Sequence, residues 1–231
     1  MKKLIIALLF VFGVTSLSLQ AQNNFEKDMR NLHIHSVNTC GMIKAKEHNQ
    51  SQILKALSDL KAEYASVQAK YAKNPPAAYA KDAAFGMYFV EFQDVIDALS
   101  ARVAKNDYKR ATLNCARICM TFNKMHMING QLDLTDMMFS WNMQLMFTTN
   151  MLKVDNYKGA AQNFKMVQML YQKVNALKAK KNNSAFNQEF EAIDALYQSW
   201  LDNVNAKNYP EAFKAFGAFS AAFPKVFKKS L

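Results

Sequence analysis

Apolar residues return at intervals of three and four along almost the whole chain, the spacing of a helix with one buried face. The pattern predicts helices over about 24–46, 50–73, 77–105, 108–127, 133–154, 157–180, 184–206 and 209–228. Between them fall residues that break helices: Glu47-His48-Asn49, Pro75-Pro76, Asn106-Asp107, Asn129-Gly130, Asp155-Asn156, Asn182-Asn183 and Asn208. No stretch alternates apolar and polar positions as a strand would. Long helices joined by short turns must run up and down and bury their stripes against one another. The expected fold is all-α, two tandem up-down-up-down four-helix bundles, over residues 22–129 and 130–231.

The division into two rests on an internal repeat. Phe85, Phe89, Phe92, Val95, Ile96, Leu99 and Val103 recur, about 101 positions later, as Phe186, Phe190, Ile193, Leu196, Tyr197, Trp200 and Val204. The register holds through the connection and continues as Tyr108/Tyr209, Ala111/Ala212, Ile118/Phe219 and Phe122/Phe223. An ungapped match of this length marks a duplicated unit. The first helices correspond at a slightly larger shift, with Met29/Met138, Val37/Met146, Met42/Met151, Ile43/Leu152 and Lys44/Lys153. A longer loop around Asn74-Pro75-Pro76 in the first copy absorbs the difference, as loops tolerate insertion.

The N-terminus is of a different kind. Met1-Lys2-Lys3, an apolar stretch from Leu4 to Val14 and a polar close ending at Ala21 make a secretory signal peptide over residues 1–21. The apolar part is too short for a membrane span, which needs about 20 such residues. The expectation is a periplasmic or secreted protein, cleaved after about Ala21 and not membrane-spanning. Six Gly and four Pro in 231 residues leave little turn chemistry for hairpins. Taking Lys2 and Lys3 from the formal net charge of +11 leaves about +9 on the mature chain. The positive residues spread over both halves, and the densest runs, Lys178/Lys180/Lys181 and Lys225/Lys228/Lys229, sit at expected helix ends, where Lys suits the exposed carbonyls. This excludes the one-sided basic face of a nucleic-acid protein. An anionic membrane surface or an acidic redox partner protein suits the charge better.

Candidate chemistry gathers on two helical faces. Met29, His33, Ser36 and Cys40 share a stripe of the first helix, and Cys115, Cys119, Phe122 and His126 share one of the fourth. Antiparallel neighbours laid side by side pair Met29 with His126, His33 with Phe122, Ser36 with Cys119 and Cys40 with Cys115. A thioether opposite an imidazole can hold a haem iron from both sides and favours electron transfer. In these residues the chain resembles the periplasmic cytochrome b562 type, over about residues 23–130. Phe25-Glu26-Lys27-Asp28-Met29-Arg30-Asn31-Leu32 is similar to that family's opening, the Pro75-Pro76 loop is similar, and Phe122-Asn123-Lys124-Met125-His126 sits where the family has its ligand His. The resemblance implies haem b between Met29 and His126 and an electron-transfer role. The chain departs from the family in having Phe122 and Gly130, not Arg, one turn either side of His126, with only Lys124 nearby. It has no Cys-x-x-Cys-His for covalent attachment. In the second copy Met138 remains, but Phe227, Phe216 and Ser220 replace His126, Cys115 and Cys119, so no haem is expected there.

Other readings of the same residues stay open. Met29 is one of fourteen Met residues, which fill gaps between helices, and His126 stands near helix-terminal carbonyls. On that reading the chain is a non-catalytic helical binding or scaffold protein without a cofactor. Cys40, Cys115 and Cys119, completed by His33, Met29 or Met120, would make a soft copper or zinc site. Alternatively, buried cysteines behave as small hydrophobes, or Cys40 and Cys115 form one disulfide and leave Cys119 reduced. The Met residues at 137, 138, 143, 146, 151, 166 and 169 have helical spacing and read as core packing. His35 and His48 are expected at solvent or a helix end, without a role. The carboxylates Glu26, Asp28, Glu91, Asp94 and Asp97 are scattered, and no Glu-x-x-His pair, phosphate loop or nucleophile elbow occurs, so no enzyme is expected.

Overall fold

The computed structural model describes residues 2–231, with side chains from residue 20 onward. Among these residues there are eight α-helices and no strand: α1 (Lys2–Lys44), α2 (Gln50–Tyr71), α3 (Phe85–Ala104), α4 (Tyr108–Ile128), α5 (Leu134–Lys153), α6 (Tyr157–Lys181), α7 (Ser184–Asn205) and α8 (Tyr209–Ser230). The fold is all-α and the chain forms two compact units, Met1–Gln131 and Leu132–Leu231. In the first, α1 and α3 each pack beside both α2 and α4, which closes the ring of an up-and-down bundle. In the second, α5 packs beside α6 and α8, and α7 beside α8. There α6 and α7 meet through long side chains: Tyr171 donates to Asp194 at 2.6 Å, and the rings of Phe164 and Trp200 lie 5.8 Å apart.

The helix-breaking residues act as caps. Asn49, Asp107, Asn156 and Asn183 each accept from a backbone N–H in the first turn of the helix that follows, and Asp133 with Asp136 makes a reciprocal capping box. Just before the caps, Asn106, Asp155 and Lys207 adopt the left-handed conformation. After α3 and α7 the same closure repeats, Asp107 N–H donating to Arg102 C=O at 2.9 Å and Asn208 N–H to Asn203 C=O at 2.8 Å. The turn geometry thus repeats along with the apolar register.

Two helix starts differ from the sequence expectation. The third helix begins at Phe85 and not near 77, because the chain leaving Pro75-Pro76 makes successive tight turns. Tyr79 N–H donates to Pro76 C=O and Asp82 N–H to Tyr79 C=O, and the Asp82 carboxylate takes the Ala84 N–H at 2.9 Å. The turns carry Tyr79 into the core against Phe25, ring centroids 4.9 Å apart, while its hydroxyl donates to Glu26. An Ala-rich segment with one aromatic looks helical by spacing alone, and burial of that aromatic decides otherwise. The first helix is continuous with the segment preceding residue 24, and its helical backbone runs through Ala21. The signal peptide expected there rests on side chains that lie outside the described ones, up to residue 19. No helix among the described residues is long and apolar enough to cross a membrane.

Each unit has its own aromatic core. In the first, ring contacts run from Phe25 through Tyr79 and Phe85 to Phe89, then Tyr64, Phe92 and Phe122, touching all four helices. In the second, Trp141 is fully buried among Tyr171, Phe190, Tyr197 and Phe219. Burial of such rings supplies much of the drive to fold.

Lys207 has φ 56° where the first copy has Asn106 at φ 55°. A left-handed backbone is costly for a residue with a long side chain and cheaper for Asn. Lys207→Asn should therefore raise the stability of the second bundle by roughly 0.5–1 kcal/mol, read as a higher urea midpoint with unchanged slope.

Candidate functional site

The α1–α4 face assembles in the register that the two stripes suggested. Cys40 and Cys115 are joined in a disulfide, Cα atoms 5.7 Å apart. Seven residues back along α1 and seven forward along α4, the His33 ring lies flat on Phe122, centroids 4.1 Å apart. Four residues further in each direction stand Met29 and His126, both buried, which the same antiparallel register brings level. One pairing differs. Ser36 turns to its own helix, donating to Leu32 C=O at 2.7 Å, and Cys119 instead meets His33, Nε2 to Sγ 3.5 Å.

The packing around that level bears on haem. A porphyrin between Met29 and His126 would occupy the bundle interior beside them. That volume holds Phe25, Phe85, Phe89, Phe92 and Phe122, each at most 2 % exposed, with Phe25, Phe85 and Phe89 in one run of ring contacts, Phe92 and Phe122 in another, and Tyr64 joining the two. Lys124, the cation two residues before His126, is engaged with Glu91 at 2.7 Å and lies over the Tyr88 ring. The residues present do not fit the plate of a haem without opening this core. They do bring the two ligand types to one layer.

Of the soft-metal set Cys40, Cys115, Cys119 and His33, two sulfurs are bonded to each other. A sulfur in a disulfide is no thiolate ligand. What remains of the set is the His33–Cys119 contact. Among the described residues no group of three or more His, Cys, Asp or Glu side chains is gathered for a metal.

Of the methionines read as core, Met137 and Met138 are buried and Met143, Met146 and Met151 partly so, but Met166 and Met169 stand exposed on α6. His35 reaches Glu63 at 2.7 Å, and His48 stacks on Tyr108 and contacts Ile43 C=O. Beside Met29, Asp28 accepts from Lys70 and from Tyr71. Burial works to raise its pKa, but these donors and the nearby Lys27 outweigh burial and hold the carboxyl below its usual range. Burial first, and then Asp28, push the Tyr71 phenol up to about 12.

The second unit carries a cleft that the sequence reading missed. It has a volume of about 340 Å³ and is walled by Leu152, Ala160, Phe164, Val204 and Tyr209, with Lys165, Gln168, Asn205 and Thr148 among its polar residues. Its origin lies in the repeat. The N-caps Asn49 and Asn156 align α2 with α6, which places Ala160 and Ala161 where the first copy has Ile53 and Leu54. In the first bundle Ile53 and Val103 are sealed, and Gln50 bridges to the carbonyls of Val103 and Ala104 at 2.8 and 3.2 Å. In the second, Tyr157 stands at the Gln50 position and stacks on Tyr209 instead, ring centroids 5.3 Å apart. Val204, the counterpart of Val103, is left partly exposed. Aligning the second and sixth helices by their caps would have exposed the pair of alanines.

The disulfide closes a loop of 75 residues, so changing both Cys40 and Cys115 to Ala should lower the stability of the first bundle by about 4 kcal/mol on the loop-entropy estimate. Denatured without reductant, the chain should take up one alkylating group, at Cys119, and three after reduction. A depressed carboxylate contributes stability above its unfolded pKa of roughly 3.9 and loses it as pH falls through the lower folded value. Asp28→Asn should accordingly flatten the fall of the denaturation midpoint below about pH 4, while leaving its slope with pH near neutrality as it was.

Comparison with known proteins finds no matching family model, no matching curated protein and no matching solved structure.

Proposed function

We propose that this chain is a non-catalytic helical binding protein of the exported class, in which the first bundle is a closed, cross-linked body and the second holds a small molecule in its cleft. The contrast between the copies carries this reading. Where one copy fills a position with Ile53 and Leu54 and seals it with Gln50, the other leaves a concave space walled by apolar and aromatic groups. Small-molecule sites are concave, mostly apolar and furnished with a few polar groups, with volumes from roughly 300 to 1,000 Å³. The disulfide across α1 and α4 supports export, since such bonds persist in oxidising compartments. Trp200 lies behind Phe164, a wall of the cleft, and reports on its occupancy. With Trp141→Phe leaving Trp200 as the sole tryptophan, titration with octanol, octanoate and octylammonium should give saturable emission changes for at least one of them. A flat response to all three would refute the binding role.

A second reading keeps haem b in the first bundle, with Met29 and His126 as axial ligands, electron transfer as its role and a redox protein as partner. The shared level of those two side chains favours it; the closed aromatic interior weighs against it. Titration with haemin separates the two. The first reading expects no saturable Soret change, and Met29→Leu, a swap of nearly equal volume, costing less than about 1.5 kcal/mol. A saturable Soret band lost in His126→Ala would replace it with the haem reading for that bundle.

A further inference from the structure

We infer that the second-bundle cleft selects small carboxylates with a short apolar body, and that Lys165 is the group that recognises their charge. This inference rests on the binding role proposed above and adds the ligand class. The cleft walls supply the first half of the chemistry. Leu152, Ala160, Phe164 and Val204 form an apolar surface, and Tyr157 and Tyr209 present stacked rings at one end.

The second half is polarity of one sign. Among the residues that line the cleft, Lys165 alone is charged at neutral pH, and no carboxylate is among them. Three other lysines of the unit are held by carboxylates, Lys214 by Glu211 and both Lys225 and Lys229 by Glu189. Lys165 enters none of these pairs. Gln168 and Asn205 add amide N–H groups, which donate to an anion, and Thr148 is committed elsewhere, its hydroxyl donating to Gln144 C=O at 2.8 Å. A cationic ligand would meet the Lys165 ammonium with nothing to offset it. A neutral one would leave the ammonium unused.

The repeat makes the same point from the other side. Lys165 stands where the first copy has Ser58, and Asn205 where it has Ala104. The two alanine positions that open the space and the two polar positions that face it therefore depart from the first copy together. The volume sits at the small end of ligand pockets, which suits a body the size of a medium alkyl chain or a single aromatic ring and excludes a full-length lipid.

The test uses the full chain carrying Trp141→Phe, followed by Trp200 emission. Octanoate should bind roughly tenfold more tightly than octylammonium or octanol, as a hydrogen bond to a charged group warrants. Lys165→Gln, an exposed change, should remove that preference and leave the weaker apolar binding. Ala161→Leu, which restores the residue of the first copy, should abolish binding of all three with the thermal melt intact. If octanoate and octanol bind alike and Lys165→Gln alters neither, the ligand class is wrong while the binding role stands. Should binding of all three persist unchanged in Ala161→Leu, the cleft is not the site and the inference fails. Silence from every probe overturns the inference together with the role on which it rests.

Discussion

The first bundle is organised by the pairing of α1 with α4, and the Cys40–Cys115 bond fixes that pairing covalently. An antiparallel helix pair can slide by a turn at modest cost when both faces are apolar, because any layer of side chains can be repacked against another. A covalent bond with Cα atoms 5.7 Å apart allows no such slip. With that layer set, His33 must meet Phe122, and Met29 must come level with His126. The aromatic core then fills around these layers, with ring contacts running from Phe25 through Phe85 and Phe89 to Tyr64, and on to Phe92 and Phe122. The second bundle has no such pin. Thr149 and Phe216 stand in place of the two cysteines, and its register is held by packing around Trp141.

The two bodies share one backbone plan and have different interiors. The turn between the third and fourth helices is alike in the two copies, with Asn106 and Lys207 both left-handed and the same backbone closure after each. Interior positions have drifted, and small changes there matter because interiors are close-packed. Two residues shortened to alanine in α6 remove several methylene groups from one end of the bundle, and the neighbours Phe164 and Val204 do not collapse into the space. The second core also tolerates buried polar atoms: Trp141 Nε1, Trp200 Nε1 and the Tyr197 hydroxyl have no hydrogen-bond partner. Burial pushes the Tyr197 phenol well above its ordinary pKa. Each such group lowers stability by roughly 1–3 kcal/mol, and the first core carries a cost of the same kind at Thr39 Oγ1.

Most of the fold was legible because helical amphipathicity is a local property and the breakers carry their own chemistry. Asn49, Asp107, Asn156 and Asn183 read as stops in the sequence and are caps in the structure. The α1–α4 register was legible for a related reason: two stripes with the same spacing can be laid against each other on paper, and the disulfide and the His33–Phe122 stack followed. Two things were not. The loop at 77–84 has the spacing of a helix, and only the tertiary burial of Tyr79 shows that it is none. A cleft is an absence of side-chain volume, and absence leaves no periodic signal; alanine on a buried face looks like any other small core residue until its counterpart in the other copy is set beside it.

The disulfide has a mechanical meaning as well. It joins the first helix to the fourth and so closes α2, the 77–84 turns and α3 inside a covalent ring. Tension applied between the two ends of the chain passes through the sulfur–sulfur bond and bypasses everything within the ring. At 3.3–3.6 Å per extended residue, the 75-residue separation withholds roughly 250 Å of contour from any pull while the bond is intact. Under load the second bundle alone can pay out its full length, so stretching the oxidised chain would extend that half further than the cross-linked one.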